Sequence, residues 1–131
     1  MSIMTPSTTP IKDLIASFEK QYAWYRELHG EIEKALQSVV MSQGDLSMLT
    51  ACFARKKEIM QHIEQERSRI EPAIRTWMAQ KHQLRQDPLA TRLDTLLQRT
   101  ESAIQDFLHT EEQLKHYLES LMHTESAGPQ R

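Results

Sequence analysis

Histidines and carboxylates at helical spacing are the first residues in this chain that could do chemistry. Asp106 and His109 stand three apart, and Glu58/His62, Glu112/His116 and Glu119/His123 four apart. Each pair would share one helix face and could offer ligands to a metal ion. A di-iron bundle requires two carboxylate-x-x-His elements and two further inward carboxylates. Here one such element occurs, with Asp, and it lies off the seam that carries Phe107. No metal and no other cofactor is therefore expected. Gly44-Asp45, just ahead of Arg55, Lys56 and Lys57, raises a second chemistry, phosphate or nucleic-acid binding. No strand precedes the pair and no Gly-Lys-Ser/Thr follows it, so a phosphate-cradling loop lacks its parts. The basic run is spread around its helix beside Glu58, which fits a solvated surface. Cys52, the only cysteine, flanks an apolar stripe where a thiol packs, and no Ser or Cys has a base and an orienting group in view. His29, among Tyr25 and Ile32, reads as a hydrogen-bonded interior residue. The expectation is a protein without enzymatic activity.

The elements that must position these residues follow from composition and period. With 131 residues, three glycines and five prolines, the chain is one domain with too few breakers for a turn-rich β or α/β fold. Sixteen basic against eighteen acidic residues leave a formal charge of −2, which gives no general electrostatic reason to bind nucleic acid or an acidic membrane. No run approaches the roughly 18 apolar residues of a membrane span, and the start lacks the pattern of a signal peptide. A cytoplasmic protein with no membrane insertion is expected. Residues 1–10 and 124–131 read as flexible tails around a single helical-bundle domain, 11–123.

Within that domain three segments carry apolar residues at alternating steps of three and four. The first runs from Ile11 through Phe18, Tyr25 and Ile32 to Val39, widened by Leu14, Leu28 and Ala35. The second is read through Leu46, Leu49, Phe53, Lys56, Met60, Ile63, Arg67, Ile70, Ile74, Trp77, Lys81 and Leu84, with three cations on the seam. The third runs from Leu89 through Leu93, Leu96, Thr100, Ala103, Phe107, Thr110 and Leu114 to Leu121. Gly44 suits the left-handed residue that ends one helix, and Asp45 can accept from the free N–H groups that open the next. Asp87 and Pro88 repeat that logic at a second corner. The predicted fold is all-α: an elongated antiparallel bundle of three long helices, the second kinked at Pro72 or split there into a fourth element. Residues 45 to 85 carry eight basic and five acidic residues, and residues 87 to 123 three and seven. The second and third helices are thus expected to be adjacent and complementary in charge. A rod this narrow is expected to leave little room for a pocket.

Two features exceed what a bundle needs. Trp24 broadens the apolar face of the first helix, and Leu108 and Met122 broaden the third beside Ile104 and Leu118. Leu108, Leu118, Met122 and Trp24 are the candidate partner-binding residues, because a widened stripe accepts a further amphipathic helix. A fourth element or a homodimer would cover them equally well.

The stretch from Gly44 to Arg67, with Asp45, Leu46, Leu49, Lys57, Ile59, Met60 and Ile63 between, resembles the flagellar export chaperones of the FlgN type, which serve the hook-associated proteins. Related filament-cap chaperones share a similar corner. The third segment departs from the FlgN pattern, since residues 87 to 123 contain no Asn. The resemblance implies a cytoplasmic, non-enzymatic helical protein that holds the terminal helices of a hook-associated or filament-cap protein before type III secretion and delivers it to the export apparatus. It also implies that the C-terminal amphipathic region matters for the client. The alternative on the residues alone is a coiled-coil adaptor or self-assembling bundle with no secretion role.

Overall fold

The computed structural model describes residues 7–127, which form three helices: α1 (Thr9–Met41), α2 (Ser47–Leu84) and α3 (Pro88–Ala127). At 1.5 Å per residue they are about 50–60 Å long. The bundle is all-α, as the period predicts. Of the two expected tails, residues 1–6 and 128–131 lie outside the described residues, while Thr9 and Pro10 already belong to α1 and the backbone of α3 continues to Ala127. No helix among the described residues is long and apolar enough to cross a membrane.

Both corners form where the sequence places them, with one change of residue. Gln43 N–H donates to the Val40 carbonyl (3.2 Å) and Gly44 N–H to the Val39 carbonyl (2.9 Å), the paired bonds that close a helix C-terminus. In that arrangement the left-handed position falls on Gln43, at φ 59°, and Gly44 follows at φ 113°. Gly44 is still required, since few side chains tolerate its backbone, but it stands one residue later than expected. Asp45 Oδ1 accepts from Ser47 N–H at 2.9 Å, and the same hydroxyl-bearing residue holds the Asp45 carboxyl below its ordinary value. At the second corner Asp87 Oδ1 accepts from Leu89 N–H at 2.8 Å, with Pro88 opening α3.

α2 runs unbroken through Pro72, so the split into a fourth element does not occur. The ring sits on the exposed face, and Ser68, whose carbonyl loses its donor, is exposed as well. The buried stripe of α2 differs from the predicted seam. Leu49, Ile63, Ile70, Trp77 and Leu84 are buried as expected, but their seam partners are Cys52, Ile59 and Glu66 rather than Phe53, Met60 and Arg67. Leu46 and Lys81 are also exposed. The reason lies in the arrangement of neighbours. α1 packs along both other helices, whereas α2 and α3 approach each other closely at few points. α2 therefore turns its inner face mainly toward α1 and leaves part of the flank nearer α3 open.

This corrects the expected α2–α3 pairing. Two cations of α2 pair with α1 instead: Arg55 with Glu27, and Arg69 with Asp13 at 3.2 Å. Among the described residues the ion pair that joins α2 to α3 is Lys56 with Glu111. Lys56 is thus a half-buried registering cation, 5.8 Å from the Phe107 ring centroid, while Arg67 and Lys81 are exposed, Arg67 beside the gap between α2 and α3.

The core has two apolar clusters. One is centred on Leu28, Ile32, Ile59, Ile63 and Phe107, the other on Ile11, Leu14, Ile70, Trp77 and Leu93. Ser17, Gln21, Glu66 and Thr100 are buried polar residues that separate them. Gln21 Nε2 donates to Ser17 Oγ at 3.2 Å, Ser17 bonds Glu66, and Arg69 Nη2 donates to Glu66 at 2.7 Å. Thr100 Oγ1 donates to the Leu96 carbonyl at 2.8 Å. Every member of the layer is satisfied, which limits the cost of burying it and penalises any slipped register that would leave a polar group alone.

Candidate partner-binding cleft

Because α2 and α3 splay, a cleft runs between them, with α1 as its floor in the middle section. Its middle section, about 620 Å³, lies over Phe18, Gln21 and Tyr25 of α1, with Ile70 and Ile74 on one wall and Thr100 and Ile104 on the other. Its upper section, about 450 Å³, is lined by Phe53 and Lys56 on α2 and by Glu111, Leu114, Leu118 and Met122 on α3. The expectation of a rod with little room for a pocket is therefore corrected: the open side follows from the α1-centred packing.

Three of the four candidate residues belong to this side. Met122 is 68% and Leu108 51% exposed, while Leu118 is half-buried against the core and lines the upper section. Ile104, Leu108, Glu111, Lys115, Leu118 and Met122 recur at alternating steps of four and three, so they form one stripe along α3. Trp24 does not join them. It stacks on His62, ring centroids 5.8 Å apart, on the other side of α2. Phe53, 46% exposed, faces Leu118 and Met122 across the cleft and was missed because it fits the apolar rhythm of α2. The interleaving of Phe53 and Met60 with the cation Arg67 at one heptad position was the available signal, since a fully buried position would not take an unpaired cation.

The other chemically able residues are engaged structurally. Cys52 is buried, its Sγ 3.6 Å from the Glu31 carbonyl, and burial followed by the nearby Glu31 carboxylate pushes its thiol up. A thiol so placed is a poor nucleophile. His29 Nε2 lies 3.0 Å from Thr110 Oγ1 and 3.1 Å from Glu33, tying α1 to α3 as an interior histidine. Asp106 lines the α1–α3 groove beside Arg26 and Arg99, and His109 is exposed. Glu112 and His116 pair along α3 at 3.0 Å. Among the described residues no group of three or more His, Cys, Asp or Glu is placed to hold a metal ion. Arg99 rests on the Tyr22 ring, 5.0 Å from its centroid.

No family model, curated protein or solved structure matches the chain. The walls of the cleft mix apolar side chains with charged ones, Glu64, Arg67 and Glu71 in the middle section and Lys56, Glu111, Lys115 and Glu119 in the upper. Such a surface can bind an amphipathic helix by burying its apolar face.

Proposed function

We propose that this chain is a non-enzymatic export chaperone of the FlgN type, or of the related filament-cap type. It acts in the cytoplasm and holds a terminal amphipathic helix of a hook-associated or filament-cap protein in the α2–α3 cleft. The client is then released to the export apparatus. The observation that carries this reading is the open stripe of Leu108, Leu118 and Met122 on α3, opposed by Phe53 on α2. The Gly44-Asp45 corner and the run to Arg67, on which the resemblance rests, supply the flagellar part of the reading.

Capture through such a cleft requires no covalent step. The client helix would lose apolar surface to Phe53, Leu118 and Met122, at roughly 25 cal/mol per Å² buried. Ordering a free helix offsets part of that gain, and the balance leaves the complex releasable. Titration calorimetry of the purified chain with synthetic terminal helices of the hook-associated and filament-cap proteins of its own organism tests the reading. One-to-one binding is expected, weakened about tenfold or more by Leu118→Ser with Met122→Ser. Binding of none of these helices would reject the chaperone reading.

A further inference from the structure

Methionine is among the residue types most often found fully buried, yet this bundle keeps it at the surface. Of the seven methionines, Met41, Met48, Met60, Met78 and Met122 lie among the described residues, and all five are exposed, from 36% at Met60 to 84% at Met41. Neither apolar cluster contains one. Three of the five follow the open α2–α3 side. Met122 lines the upper section of the cleft. Met60 stands seven residues after Phe53, which lines that section, and seven before Arg67, which lines the middle one. The helical period therefore puts it on the same flank, between the two. Met78 stands four residues after Ile74 and seven after Glu71, both lining the middle section, and continues the flank toward the end of α2. Met41 and Met48 stand instead on either side of the Gly44 corner. Cys52, the only cysteine, is buried and so shielded from an oxidant.

We propose that Met60, Met78 and Met122 are oxidation sites, through which a hydroperoxide reversibly removes the apolar character of the open side. The thioether sulfur attacks one peroxide oxygen, and the S–O bond forms as the O–O bond breaks. The proton on the transferred oxygen passes to the departing one, which leaves as water. Sulfur is oxidised by two electrons and the peroxide reduced by two, so the step balances. Each sulfoxide replaces a flexible apolar side chain with a polar one. No described methionine belongs to the core, so the helices remain packed while the surface between α2 and α3 changes. Release of a bound helix on oxidation rests on the chaperone reading. The oxidation itself and the change of surface do not.

The test treats the full chain with hydrogen peroxide. Peptide masses locate the sulfoxides, circular dichroism follows the helices, and the dye 8-anilinonaphthalene-1-sulfonate reports apolar surface by its fluorescence. A second arm titrates the same samples with the synthetic terminal helices named above. Sulfoxide at Met60, Met78 and Met122, unchanged helix content and dye fluorescence lower by about threefold or more are expected. Helix affinity should weaken about tenfold or more. Methionine sulfoxide reductases for both epimers, with a thiol reductant, should restore the dye signal and the affinity. Met60→Leu with Met78→Leu and Met122→Leu keeps the apolar volume and should resist peroxide in both arms, whereas Met41→Leu with Met48→Leu should respond as the wild type does. An untreated chain that binds the dye but no helix would reject the chaperone reading alone, and the dye would then decide the oxidation proposal. That proposal would be overturned by an untreated chain that binds no dye, by a dye signal unchanged after complete oxidation, or by loss of helix on oxidation. An equal response from the variant with three leucines would overturn it as well.

Discussion

Acid should weaken this bundle through Glu66, one residue of its buried polar layer. The Glu66 side chain is 9% exposed, and hydrogen bonds from Arg69 first, with a smaller contribution from Ser17, outweigh burial and bring its carboxyl from 4.5 down to about 2. A carboxylate held low in the folded state stabilises the fold above its ordinary value. That stability is lost as pH falls from about 4.5 toward 2. At 1.36 kcal/mol per pH unit the full effect has a ceiling of about 3 kcal/mol. Arg69 is half exposed, so solvent screening reduces the working figure to about 1–2 kcal/mol. The perturbation is Glu66→Gln, which keeps the size and the contact with Ser17 but carries no charge. Urea unfolding followed by circular dichroism at several pH values gives the difference between wild type and variant. It should be flat from pH 7 to about 5.5 and roughly a third to a half smaller by pH 3.5. A difference that stays constant down to pH 3.5 would refute the argument, because it would mean that the charge of Glu66 is not what Arg69 stabilises.

Two backbone predictions follow from the corners and from Pro72. Gln43→Gly should raise stability by about 0.5–1 kcal/mol, since the left-handed backbone at φ 59° strains a side chain and suits glycine; urea midpoints measure it, and a loss would contradict the cap geometry. Pro72→Ala should raise stability by about 1–3 kcal/mol with unchanged helix content, because α2 is already continuous there and the exposed ring only removes a donor. A fall in stability would show that Pro72 shapes packing along α2.

The period of the apolar residues and the two Asp-bearing corners were enough to determine an all-α bundle of three long helices. Those signals are local: a 4-3 rhythm, a glycine, an N-cap and a proline at a helix start act within a few residues. The interior role of His29 and the packed thiol of Cys52 were legible for the same reason, as positions on or beside an apolar stripe. On α2 the local signal is ambiguous, because Phe53 and Met60 are as apolar as Cys52 and Ile59 and stand next to them on the helix. Only the tertiary structure decided which flank is buried, and it did so by placing α1 between the other two helices. That choice also moved Glu66 into the core, where Ser17 and Arg69 make a carboxylate tolerable, and left Arg67 outside. The cleft is the other consequence of α1 standing at the centre. Leu118 and Met122 could be singled out from sequence as excess apolar surface, but the wall opposite them, and the separation of Trp24 from them, depend on which helices touch. That is a property of three-dimensional packing rather than of any one segment.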